Sequence, residues 1–118
     1  MSQLTKHLEN LVRVDGISIV IVVGRDGFVI DGVANGATLD TEAVGAVVST
    51  GLGSAEVMGN ELNVGKMTQA MLEYKDGIVV TNFLGEDAIL AAVADLKANL
   101  GNVRFQVKKN APEILSAL

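Results

Sequence analysis

Leu4, Leu8, Leu11 and Val12 recur at the spacing of one helical face, and they predict a first helix with Ser2 available as its N-cap and Asp15-Gly16 as its stop. The next residues, ISIVIVV, lack polar alternation, which for a strand means burial on both faces and a place at the centre of a sheet. Gly24-Arg25-Asp26-Gly27 follows, and Asp-Gly between apolar runs signals a hairpin, so the chain is expected to return as a strand over residues 28–33. From Asp40 to about Asn60 the period becomes helical. Val44, Val47, Val48, Gly51, Ala55 and Met58 share one face, continued by Leu62, while Gly45, Ala46, Ser49, Gly53, Glu56 and Asn60 lie roughly opposite. Gly45, Gly51, Gly53 and Gly59 each cost a helix interior roughly 0.5–1 kcal/mol relative to Ala, so a close approach to a sheet or another helix is expected to offset them.

Residues 66–75 and 77–84 predict a second hairpin across Asp76-Gly77, and residues 88–94 a fifth strand after Gly85-Glu86-Asp87. The last segment carries two patterns. Val103, Phe105 and Val107 alternate as a strand would, whereas Leu100, Val103, Val107, Ala111, Ile114, Leu115 and Leu118 fit a helix over a longer run. We read it as helix, with a kink or break near Asn110 because Pro112 lacks a donor and crowds the preceding turn. No repeat, low-complexity tract or linker interrupts residues 1–118, which read as one domain.

Composition narrows the function. With 118 residues, 49% of them apolar, the chain can bury a core without disulfides or metal. The absence of Cys, a net charge of −5 and the polar start MSQLTKHLEN suggest a reducing, cytoplasmic setting. The longest apolar run falls well short of the ~20 residues of a membrane helix. An acidic balance works against nucleic acid, since phosphate binding draws on clustered Lys and Arg. Arg104, Lys108 and Lys109 do cluster, but they read as a solvated helix face, and the few aromatics, Phe28, Tyr74, Phe83 and Phe105, make no visible base-stacking platform.

Candidate chemistry is sparse. His7, the one histidine, reads as a surface or boundary residue, and the five serines form no nucleophile elbow. Gly51-Leu52-Gly53-Ser54-Ala55-Glu56 begins like a dinucleotide fingerprint, yet it lacks the third glycine and lies within a helix; no triphosphate-cradling loop is present either. Glu86-Asp87 reads as a solvated turn, because adjacent carboxylates on extended chain diverge. Arg25, at the tip of the first hairpin, is either an ordinary charged tip or a residue able to reach a partner's phosphate as an arginine finger.

The run LENLVRVDGISIVIVVGRDGFVIDG, the long small-residue helix, the three further strands and the closing NLGNVRFQVKKNAPEIL together resemble the roadblock/dynein light chain family. The resemblance covers nearly the whole chain and implies an α+β fold in α/β/α layers, similar to profilin. Its five-stranded antiparallel sheet would follow the chain order helix, two strands, helix, three strands, helix, with the middle helix on one face and the terminal helices on the other. It further implies that MTQAMLEY is an edge strand on which two copies join sheets, middle helices side by side. The dimer contacts would then be Met67, Gln69, Ala70, Met71 and Glu73 on the strand, and Gly45, Ser49 and Gly53 on the helix. The function so implied is a non-enzymatic homodimeric scaffold or regulator of a small Ras-like GTPase, needing no cofactor or metal. Glu42, Ser49, Glu56 and Asn60 on the middle helix would be the GTPase contacts. The alternative is a sensor module of the profilin, PAS or GAF kind, which would need a cavity of about 300 Å³ or more between sheet and helix.

Overall fold

The computed structural model describes residues 2–36 and 40–118. In chain order the elements are α1 (Gln3–Val12), β1 (Ile17–Gly24), β2 (Val29–Ala34), α2 (Thr41–Glu61), β3 (Gln69–Tyr74), β4 (Gly77–Leu84), β5 (Ala88–Ala94) and α3 (Leu100–Ser116). Local chemistry sets the boundaries. The Ser2 hydroxyl accepts from the Thr5 N–H at 3.1 Å, the Asp40 carboxylate from Ala43 N–H at 3.2 Å, and the Asn99 side chain from Asn102 N–H at 3.0 Å. Each cap satisfies a donor that the helix itself leaves free. Gly16 and Gly27 turn the chain with φ near +93° and +91°.

The strands form one antiparallel sheet in the order β2-β1-β5-β4-β3. β1 is interior, as its unbroken apolar run requires, but the middle place belongs to β5, whose AILAAVA is apolar throughout. Alternate residues point to opposite faces. Val20, Val22, Val80, Leu90 and Ala92 face α1 and α3, meeting Leu4, Leu8, Leu11, Val103, Val107 and Ile114 in the main core. Ile21, Val23 and Ala91 face α2 with Ile19, Val29, Val44, Val48 and Val79 around them.

Three sequence expectations change. The third strand begins at Gln69 rather than at Lys66, because Gly65 turns with φ +88° and the chain joins the ladder only afterwards. α3 runs through Pro112 without a break. Proline removes only the donor to the Lys108 carbonyl, Pro112 and Lys108 are exposed to water, and buried Val107, Ala111 and Ile114 hold the turns on either side against the sheet. Finally, the face of α2 that meets the sheet is rotated by roughly a quarter-turn from the one its periodicity indicates. Leu52 and Gly45 are buried, whereas Val47 and Met58 stand in solvent. No helix among the described residues is long and apolar enough to cross a membrane.

Candidate functional site

β3 is an edge, and among the described residues its one strand partner is β4. The phase of that ladder follows from one bond just outside it, Phe83 N–H to the Thr68 carbonyl at 3.3 Å. Antiparallel partners alternate between hydrogen-bonded and free pairs, and the register Ala70 to Thr81, Leu72 to Val79 and Tyr74 to Gly77 steps from Thr68 by twos. Ala70, Leu72 and Tyr74 therefore spend their backbone groups on β4. Gln69, Met71 and Glu73 turn theirs outward, with no strand among the described residues beside them. An unpaired row of this kind is a template for another chain.

Side chains alternate in the same way. Ala70, Leu72 and Tyr74 lie on the α2 face of the sheet, and with Val47, Val48, Gly51, Leu52, Ala55 and Val79 they line an apolar groove of about 370 Å³. Val47 is 71% exposed and Tyr74 59%, so the groove is open along the strand's free edge. Gln69, Met71 and Glu73 point to the α3 side. There Gln69 and Arg104 are linked twice, Arg104 Nε–H to Gln69 Oε1 at 3.3 Å and Gln69 Nε2–H to the Arg104 carbonyl at 3.5 Å.

The expected helix contacts divide. Gly45 is packed inside the protomer, where a Cβ would overlap the Gly27 carbonyl, and the Ser49 hydroxyl donates to the Arg25 carbonyl at 2.7 Å. These two positions serve the first hairpin rather than an exposed seam; the smallness of Gly45 is an internal requirement. Gly53 is different, for nothing lies within 4 Å of a Cβ built there, and Gly51 is equally open. The side of α2 that overhangs the β3 edge carries Val47, Gly51 and Ala55 of the apolar stripe, and not Gly45, Ser49 and Gly53, which lie roughly opposite.

Arg25 does not project as a finger. Its guanidinium pairs with Glu56 and lies 5.1 Å from the centroid of Phe83, and the Arg25 backbone N–H donates to the Asp87 carbonyl at 3.0 Å. Glu56 is thereby engaged, while Asn60 is exposed beside it. Met67 sits in the loop before β3, where it helps line a cleft of about 300 Å³ with Arg25, Glu56, Asn60, Lys66 and Phe83. The side chain of Glu42 lies outside the described residues. His7 comes 3.8 Å from Glu113, joining α1 to α3. Among the described residues no group of three or more His, Asp or Glu is placed to hold a metal ion. Leu72, Tyr74 and Arg104 were not singled out from the sequence for this edge, although the alternation of QAMLEY sets Ala70, Leu72 and Tyr74 on one face.

Comparison with known proteins agrees with this architecture. The Roadblock/LC7 domain family model matches residues 4–94. Uncharacterized protein MJ0714 of Methanocaldococcus jannaschii is 36% identical over 113 residues, covering 96% of this chain and 94% of that protein. Among solved structures, Myxococcus xanthus MglB superposes with a TM-score of 0.91 at 16% identity, covering 98% of this chain and 94% of its own. A structure of MglB with tetrameric arrangement gives 0.91 at 19% identity, covering 98% and 87%. At such identities the structural likeness speaks for the fold.

Proposed function

The chain belongs to the Roadblock/LC7 domain family, and from that premise we propose that it is a non-enzymatic cytoplasmic scaffold, a homodimer joined along β3 and α2, that binds a small Ras-like GTPase and modulates its nucleotide cycle. The observation that carries the homodimer is the coincidence of two unfinished surfaces. The outward backbone row of Gln69, Met71 and Glu73 adjoins the uncovered stripe of α2 and its groove, so one strand added at the edge would extend the sheet and bring a second helix over the apolar lining. The tetrameric arrangement of a structural neighbour supports self-association in this fold. The GTPase rests on family membership. We assign its contact to the outer side of α2 flanking the seam, with Glu42, Glu56 and Asn60; the two copies together offer room for a standard interface of roughly 1,600 Å².

The test has two parts. Sedimentation at about 100 µM should give twice the 12.3 kDa chain mass, since even a complex of roughly −6 kcal/mol is substantially formed there. Calorimetry against each Ras-like GTPase of the same organism, in its GDP and GTP-analogue states, should give saturable binding to one, while the dimer alone neither binds nor hydrolyses GTP. The 370 Å³ groove favours a second reading, a sensor of a small apolar ligand, because it lies between sheet and helix as that reading requires. Silence toward every GTPase, with a saturable small ligand in a thermal-shift screen, would decide for the sensor.

A further inference from the structure

Glu73 and Arg104 are exposed charges that take part in no ion pair among the described residues. Arg104 is nevertheless held in place. Its Nε–H is committed to Gln69 Oε1, which leaves the four terminal N–H donors of the guanidinium fork unused over the start of β3. Glu73 stands on the same side of the sheet four residues further along, about 14 Å away at ~3.4 Å per residue. Within one chain the two cannot meet.

An antiparallel self-pairing of β3 changes that. Only Gln69, Met71 and Glu73 offer outward backbone groups, and a pairing centred on Met71 uses all three; a slip of two residues in either direction leaves one of them idle on each strand. Centring on Met71 sets Gln69 directly opposite Glu73 of the partner subunit, with both side chains on the α3 side. Arg104, already parked on Gln69, then has a carboxylate in front of its free donors.

Resting on the homodimer reading above, we propose that the dimer register is fixed by two reciprocal ion pairs, each joining Arg104 of one protomer to Glu73 of the partner subunit, on either side of a Met71–Met71 centre. The pairs act as specificity more than as strength. A slipped register separates each charge from its counterpart, and in a protein of net charge −5 the remaining long-range force between copies is repulsive.

Charge reversal tests this with a readout that a merely structural role would not give. Alone, Glu73→Arg and Arg104→Glu each create like-charge contacts twice per homodimer, and each should raise the dimer Kd about tenfold. Mixed in equal amounts, the two variants form a heterodimer in which both contacts are again opposite in sign, and its Kd should return to within about threefold of the wild-type value. That preference should fade in about 1 M salt, where the screening length falls to ~3 Å. A Glu73→Gln, Arg104→Gln double-mutant cycle covers the case in which a reversal disturbs folding, and it should show coupling between the two sites. A wild-type dimer whose reversed variants show no heterodimer preference, or whose cycle shows no coupling, overturns the ion pairs and leaves the homodimer standing. A wild-type monomer at ~100 µM overturns both.

Discussion

Proline at position 71 should separate association from folding. In the pairing centred on Met71 its N–H donates to the opposite strand, and by symmetry the substitution Met71→Pro deletes two intermolecular bonds. At a net value of about 1 kcal/mol each, the loss is about 2 kcal/mol, or roughly thirtyfold in Kd, before the ring's intrusion into the ~4.8 Å strand spacing is counted. The fold should hardly notice, because this N–H meets no partner within the protomer and edge strands accept proline where their donors face outward. Ala70→Pro is the opposite case. It removes the donor to the carbonyl of Thr81, a residue only 2% exposed, and an orphaned buried acceptor costs about 1–3 kcal/mol. Sedimentation equilibrium between about 5 and 200 µM measures the first effect. Urea unfolding at dilutions below the dissociation constant measures the second, free of the stabilisation that dimerisation adds. The reasoning fails if Met71→Pro associates like the wild type, or if it unfolds as readily as Ala70→Pro.

Three further outcomes follow from the glycines. Gly45→Ala should destabilise the protomer by about 1–3 kcal/mol in urea unfolding, since its methyl would overlap the Gly27 carbonyl, whereas Gly51→Val should leave folding within about 1 kcal/mol and weaken association in the same sedimentation assay. Reversal of these two results would place the close backbone approach of α2 at the wrong glycine. Gly16→Ala combines a positive φ with a Cβ that would overlap Ala98, and it should lower stability by at least about 1–3 kcal/mol; a thermal midpoint equal to wild type would show that the loop after β5 yields freely.

How far the chain was legible depended on whether a pattern is resolved inside one protomer. α1 is an example of full legibility, because Leu4, Leu8, Leu11 and Val12 all reach the main core and Ser2 caps the helix as its position suggests. The two hairpins were legible for the same reason, their Asp-Gly turns being local. The sequence reads correctly as a helix over α3 but overstates the effect of Pro112, since it does not show that Lys108 and Pro112 stand exposed while their neighbours stay anchored. In the candidate site, the edge strand was legible through its resemblance, but its exact start at Gln69 and the outward phase of Met71 were not. Both depend on which residue first enters the ladder with β4. The double link between Gln69 and Arg104 spans 35 positions and leaves no trace in local periodicity.

α2 shows why a correct pattern led to a wrong placement. Its apolar stripe is real, but a helix stripe states only that something covers it, not that the same chain does so. Here the sheet's two faces are unequal: among the described residues eighteen buried hydrophobic side chains, those of α1 and α3 included, join in the core on one face, against the smaller cluster around Ile21, Val23 and Ala91 on the α2 face. The first face is enough to hold the fold, so α2 is free to turn Gly45 and Leu52 inward and tie itself to the first hairpin through Ser49 and Glu56. That choice leaves Val47, Gly51 and Ala55 overhanging β3, beside backbone groups that also lack a partner among the described residues. Apolar surface and an unpaired strand edge are each a liability in an isolated protein, and their coincidence along one seam is economical only if a single event covers both. On the homodimer proposed above, the small core beneath α2 is half of a larger one, completed when a second copy arrives.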